Sequence, residues 1–225
     1  MSLPRAVLFD MDGTLIDSEP LWFASEIDLM SELGGEWTLE DQARCLGVPL
    51  IEVADYIRER SGTDLAKEQV CERLLDRMER ALRSTPLAWQ PGARELLRET
   101  RDLGLPTALV SASWARLISA VSDRFDAELG TKAFDAVVPG DEVDNGKPHP
   151  EPYLTAAALL GAHPSDCLAL EDSPTGVTAA LAAGCRVVAI PHVAEVAHEG
   201  AAVVATLAGR STADLWNAAS AAFEG

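Results

Sequence analysis

Short unbroken apolar runs and longer stretches of helical spacing divide this chain of 225 residues between them. Ala6-Val7-Leu8-Phe9 is the first run, closed by Asp10 and the turn former Gly13. Its length and its β-branched and aromatic content predict a buried strand. Further strands are predicted near 107–110, 135–138, 166–170 and 186–190, with helices between them, among them Gly92–Leu103 and a segment near Glu151 to Leu160. Nothing between Asp17 and Leu87 reads as a strand. That stretch carries apolar positions spaced for helices: Trp22, Leu29, Met30 and Leu33; then Leu50, Val53, Ala54 and Ile57 behind Pro49; then Val70, Leu74, Met78 and Leu82 ahead of Pro86. The order predicts an α/β fold, a doubly wound, Rossmann-like parallel sheet core interrupted early by an inserted helical cap. The expected boundaries are 1–16 with 88–225 for the core and 17–87 for the cap, joined by linkers near Ile16–Glu19 and Thr85–Trp89.

The predicted strand ends are polar. Asp10 and Asp12 close the first run, Ser111 the second, and the pair Glu171-Asp172 a later one, with Ser173-Pro174 opening the helix that follows. Lys147 stands in a Gly146-Lys147-Pro148 loop. If the strands are parallel, all of these converge on the carboxyl edge of the sheet, where open α/β folds bind ligands.

Composition narrows the partners. With 36 acidic and 18 basic residues the formal charge is −18, which argues against nucleic acid or an anionic membrane. An anionic substrate would meet an unfavourable overall field, so a cation and Lys147 are expected to invert its sign locally. Cys45, Cys71, Cys167 and Cys185 form no CxxC pair and no zinc spacing with histidine, and Cys167 and Cys185 fall in or beside predicted buried strands. There is no leader-like apolar segment and no membrane-length apolar run, so a reduced cytoplasmic location is expected, with no obligate protein partner evident. Gly140 to Lys147 faintly echoes a P-loop, but it is one residue too long and has Pro148 where a magnesium-holding hydroxyl belongs. His149 lies between two prolines, and His163, His192 and His198 are scattered, which fits structural or surface roles. The tryptophans read as packing residues, with Trp22 and Trp114 also placed to line a cleft.

The stretches FDMDGTLIDSEP, VSAS, GKPHPEPY and ALEDSPTG, in this order, resemble the haloacid dehalogenase-like hydrolases, in their phosphatase and sugar-phosphate mutase branch. The resemblance covers essentially the whole chain. It implies a cap of four or five helices closing over the site, which would exclude water and read the leaving group. It also implies that Asp10 is a nucleophile forming an aspartyl-phosphate and that Asp12 is the general acid and base. Ser111, the backbone of Ala112 and Lys147 would hold the phosphoryl group. Mg²⁺ would sit on Asp10, the backbone carbonyl of Asp12, and Asp172, with Glu171 behind them holding a metal-bound water. Chemistry agrees with this set, because a carboxylate approaching a dianionic ester needs that charge neutralised first.

Within the family, Asp12 separates the chain from the metal-free dehalogenases, which lack this carboxylate, and from P-type ATPases, which place Thr there. Lys67 is the only lysine of the cap and has polar surroundings, unlike the Schiff-base lysine of phosphonatases. Similar mutases carry His and Arg where this chain has Trp22 and Leu50. The expected activity is therefore hydrolysis of a small sugar or polyol phosphate. A β-phosphoglucomutase-type isomerase and a catalytically silent binding module on the same fold are the alternatives.

Overall fold

A computed structural model describes residues 3–45, 47–193, 196 and 198–223. Its contacts divide the chain into two compact units, Met1–Asp17 with Leu87–Gly225, and Ser18–Pro86.

The first unit is built on six parallel strands: β1 (Ala6–Phe9), β2 (Thr107–Val110), β3 (Ala136–Val138), β4 (Cys167–Glu171), β5 (Arg186–Ala189) and β6 (Ala201–Val203). They lie in the order β3-β2-β1-β4-β5-β6, which is a doubly wound α/β sheet with β1 near its centre. Every residue of β1, β2 and β4 is buried, as expected where helices cover both faces of a parallel sheet. The edge strands β3 and β6 have only three residues each, which limits the unpaired backbone they present. β6 is not among the strands expected from the sequence. Its three residues, Ala201, Ala202 and Val203, are too few and too small to make a strand-like run.

Alternation along the strands gives the sheet two different faces. Ala6 and Leu8, Ala108 and Val110, Cys167 and Ala169, and Val187 and Ala189 lie in one cluster with small residues of α7 (Glu151–Leu159) and α8 (Pro174–Ala182). Alanines at this contact let helix and sheet approach closely. Phe9 points the other way and meets Phe134 edge-on at 6.2 Å, and Phe134 in turn packs on Phe125 of α6 (Ala115–Leu129) at 5.8 Å. The remaining helices of this unit are α5 (Ala93–Asp102) and α9 (Thr212–Phe223).

The second unit is helical throughout its described residues: α1 (Glu19–Glu32), α2 (Leu39–Cys45), α3 (Leu50–Ser61) and α4 (Lys67–Ser84). α4 packs against both α1 and α3 through Val70, Leu74, Met78 and Leu82, all buried, and it ends before Pro86 as the clash preceding proline requires. α2 gives no apolar periodicity in the sequence. It is held by Asp41, whose carboxylate accepts from Thr38 N (2.9 Å), Thr38 Oγ1 (2.7 Å), Tyr56 OH (2.6 Å) and Arg60 Nε (3.0 Å). The Arg60 hydrogen bond, with those of Tyr56 and Thr38, keeps the Asp41 carboxyl well below the usual range against its desolvation.

The joint between the units differs by one residue on each side from the boundaries expected. Asp17 and Leu87 fall with the α/β unit because the two connections pair there: Asp17 N donates to Ala88 O and Gln90 N to Leu15 O, both at 2.8 Å. Among the described residues, no helix is long and apolar enough to cross a membrane.

Candidate active site

Three neighbouring strands deliver the polar strand ends to one place. β1 lies between β2 and β4, with Phe9 in register with both Leu109 and Leu170. Asp10, Ser111 and Asp172 follow these strands directly, and Glu171 is the last residue of β4. Asp10 N donates to Leu170 O at 3.0 Å, which fixes the direction in which its carboxylate leaves the sheet.

Lys147 reaches the same place from the loop after β3, where its peptide bond to Pro148 is cis. Its Nζ donates to Asp10 Oδ1 (2.7 Å), Glu171 Oε1 (2.5 Å) and the Val110 carbonyl (3.0 Å), so three acceptors surround an ammonium that has three N–H groups. Burial favours the neutral amine, but the two carboxylates more than offset this and hold the lysine charged above its ordinary pKa.

Glu171 is completely buried and fully engaged. Oε1 accepts from Lys147 and from Tyr153 OH (2.6 Å), while Oε2 accepts from Asp172 N (3.2 Å), Ser173 N (3.4 Å) and Ser173 Oγ (3.1 Å). The carboxylate lies against Gly176, where a Cβ would come within 1.9 Å of Oε1, so only glycine leaves it room. Ser173 also caps α8 by accepting from Gly176 N at 3.1 Å.

The loop after β1 brings in the remaining groups. Asp12 Oδ2 accepts from Ser113 Oγ (2.6 Å) and from Ser111 Oγ (3.4 Å), so this carboxylate is turned toward the loop after β2. Ser111 is buried, and its hydroxyl accepts from Ser113 N at 2.9 Å; Ala112 between them is exposed. Gly13 has φ +90°, and a Cβ there would lie 2.0 Å from Asp172 Oδ2. A side chain would therefore be both strained and in collision with the carboxylate. Thr14 Oγ1 donates to the other oxygen of Asp172 at 3.4 Å.

Carboxylate oxygens of Asp10, Glu171 and Asp172 lie within 4.8 Å of one another. Burial, followed by repulsion from Glu171, raises the Asp10 carboxyl well above its ordinary range against the pull of Lys147. Asp172 is raised by burial, then by Asp10 and Glu171. One ammonium among three carboxylates leaves negative charge uncompensated, and the buried Asp10 Oδ2 has no hydrogen-bond partner. A set of hard oxygen donors, one of them orphaned, fits a divalent cation such as Mg²⁺. Glu171 has its lone pairs on five donors, which leaves Asp10 and Asp172 as the carboxylates free to take the ion.

All six side chains singled out in the sequence, Asp10, Asp12, Ser111, Lys147, Glu171 and Asp172, thus come together, with Ala112 on the same rim. Three contributors had drawn no attention. Ser113 and Tyr153 lie inside the quoted stretches VSAS and GKPHPEPY, and Thr14 inside FDMDGTLIDSEP, yet none stands at a strand end or carries charge. His149 is exposed and accepts from Glu151 N at 3.3 Å, while Trp114 is the half-buried residue preceding α6. Gly140–Glu142, within the P-loop echo, is a single 3₁₀ turn.

The family model described as haloacid dehalogenase-like hydrolase matches residues 7–190. The chain is a haloacid dehalogenase-like hydrolase. Among this hydrolase's relatives, hexitol phosphatase B of Escherichia coli (strain K12) is 37% identical over 197 residues, covering 85% of this chain and 86% of that protein. The phosphorylated carbohydrates phosphatase of Thermotoga maritima is 35% identical over 189 residues, covering 84% and 86%. The crystal structure of CbbY from Rhodobacter sphaeroides in complex with phosphate superposes with a TM-score of 0.82 at 25% identity, covering 95% of this chain and 99% of that one. Another CbbY structure contains xylulose-(1,5)bisphosphate. The two relatives named here are both phosphatases, and the haloacid dehalogenase-like hydrolase described here is a phosphatase of that family.

Proposed function

We propose that the protein is a Mg²⁺-dependent phosphomonoesterase acting on a small sugar or polyol phosphate through an aspartyl-phosphate at Asp10. The observation that carries this reading is the state of Asp10: one oxygen is held by Lys147 at 2.7 Å, the other is buried and unpaired, and the carboxylate clusters within 4.8 Å of those of Glu171 and Asp172. The names of the relatives, a hexitol phosphatase and a phosphorylated carbohydrates phosphatase, support the substrate class.

Asp10 and Asp172, with the carbonyl of Asp12, would hold the ion, which supplies positive charge to the phosphoryl oxygens. Asp10 attacks phosphorus, and the departing alkoxide takes a proton from Asp12. Asp12 leaves its Ser113 hydrogen bond to reach the leaving oxygen. It then takes a proton from the water that hydrolyses the acyl phosphate, which regenerates Asp10 and releases phosphate. Ser111 Oγ and the Ala112 N–H receive a phosphoryl oxygen. Lys147 can donate to the phosphoryl group by giving up its longest hydrogen bond, the 3.0 Å contact with Val110 O, without leaving Asp10.

Water is the favoured acceptor because the chain has Trp22, with one N–H and no charge, and Leu50, with no donor, at the positions where similar mutases carry His and Arg. The test is phosphate release from an aryl phosphate and from a panel of sugar and polyol phosphates, with Mg²⁺ and with excess chelator. Turnover that is lost on chelation and restored by Mg²⁺ supports the reading. No turnover on any ester overturns it in favour of a silent binding module. With β-glucose 1-phosphate and a hexose 1,6-bisphosphate, glucose 6-phosphate forming faster than free phosphate overturns it in favour of a mutase.

A further inference from the structure

We infer that Tyr153 is a positioning residue that sets how firmly Lys147 holds the nucleophile Asp10, acting through Glu171. The inference rests on the hydrolytic reading of the site.

Tyr153 lies on α7 and is completely buried, yet it reaches the site by two routes. Its hydroxyl donates at 2.6 Å to Glu171 Oε1, the same oxygen that accepts from Lys147 Nζ at 2.5 Å. Its ring centroid is 5.3 Å from Lys147 Nζ, within the range of a cation–π contact. The phenol therefore touches both the ammonium and its counter-ion.

Competition for Glu171 Oε1 gives this geometry its effect. A carboxylate oxygen that accepts a second short hydrogen bond draws less strongly on the first donor. Glu171 cannot turn away to relieve the crowding, because Oε2 is held by Ser173 and two backbone N–H groups and Gly176 lies directly against the carboxylate. Lys147 is thus shared between two carboxylates, and the phenol shifts that share toward Asp10. Without the hydroxyl, Glu171 would draw the ammonium to itself, and the nucleophile would lose part of the charge that orients it and offsets the incoming phosphate.

The test is a double-mutant cycle read by rapid-quench kinetics. Tyr153→Phe keeps the ring and removes the hydroxyl. It should slow single-turnover phosphorylation of Asp10 by about tenfold, the scale of one charge-assisted hydrogen bond, with KM unchanged. In a Glu171→Gln background the same substitution should have little further effect, since its route has been cut. An unchanged phosphorylation rate in Tyr153→Phe overturns the inference, and so does an equal effect in both backgrounds, which marks a packing role. If Tyr153→Phe does not fold, fluorotyrosine incorporated in a Tyr56→Phe background replaces it, because the chain has only two tyrosines. The more acidic phenol should then raise the phosphorylation rate, and an unchanged or lowered rate overturns the inference. Wild-type turnover is measured first: its absence refutes the hydrolytic reading, whereas normal wild-type turnover with an indifferent Tyr153 refutes this inference alone.

Discussion

Two buried acidic centres in this protein are built on opposite principles. Asp41, in the helical unit, faces Thr38, Tyr56 and Arg60, and both of its oxygens accept hydrogen bonds from them. Asp10, in the α/β unit, shares one lysine with Glu171, lies close to Asp172, and keeps an oxygen with no partner. Pairing holds the Asp41 carboxyl low, while burial and like charge push Asp10 and Asp172 high. The first arrangement is complete without a ligand and is suited to holding helices together. The second holds like charges close together in a buried place. An arrangement of this kind is costly in a folded protein and is suited to chemistry rather than to architecture.

The comparison is most easily broken at Asp10. Asp10→Asn should lower turnover by about 10⁴-fold or more while the fold survives, because the amide cannot form the acyl phosphate. A variant that retains substantial phosphate release, measured free of wild-type contamination, would end the covalent reading. Asp12→Asn should cost roughly 10²–10⁴-fold on alkyl phosphates and less on activated aryl phosphates in the leaving-group step. Single-turnover assays on both substrates check this, and equal losses in that step would remove the general-acid role.

The opposite result is expected at the satisfied centre. Asp41→Ala should destabilise the protein by about 1–2 kcal/mol, through loss of the hydrogen bonds that hold the start of α2 to α3. The exposed Arg60, at 44%, adds little as an ion pair. Chemical denaturation measures the loss, and phosphate release per folded molecule should stay near wild type. The smallest effect is expected at Glu26 of α1. Burial raises its carboxyl to about 8, with Glu19 adding to the shift and Trp37 opposing it. The folded chain keeps this proton while the unfolded chain releases it above the ordinary glutamate value. Stability therefore falls as pH rises from that value through about 8. Glu26→Gln should flatten this part of the curve and raise the melting temperature at pH 8 relative to wild type; equal pH dependence in the two proteins would refute the assignment.

The rim of the candidate site was legible because a polar or charged group closing an apolar run is an unusual pattern, and Asp10, Ser111 and Glu171-Asp172 each show it. The doubly wound parallel sheet was implied by the alternation of helices and strands and needed no side-chain detail. What escaped was local and neutral. Tyr153 reads as one apolar position of a helix, because nothing in the sequence reveals that its hydroxyl meets a carboxylate 18 positions away. Ser113 is one hydroxyl among several in its stretch, and only the fold brings it to Asp12, 101 positions away. α2 escaped for a related reason: the Asp41 network that holds it depends on Tyr56 and Arg60, both on another helix.

The pairing of Asp17 with Ala88 and of Leu15 with Gln90 also makes the helical segment replaceable. Its entry and exit run antiparallel and hydrogen-bonded, one strand spacing apart, about 5 Å. To the α/β unit, the whole segment is therefore equivalent to the loop of a hairpin. A two-residue turn could close the same gap, and so could any domain whose ends lie equally close together. The sheet and the carboxylates at its edge would keep their connections in either case, so residues 18–86 can be exchanged as a cassette without redesign of the sheet edge.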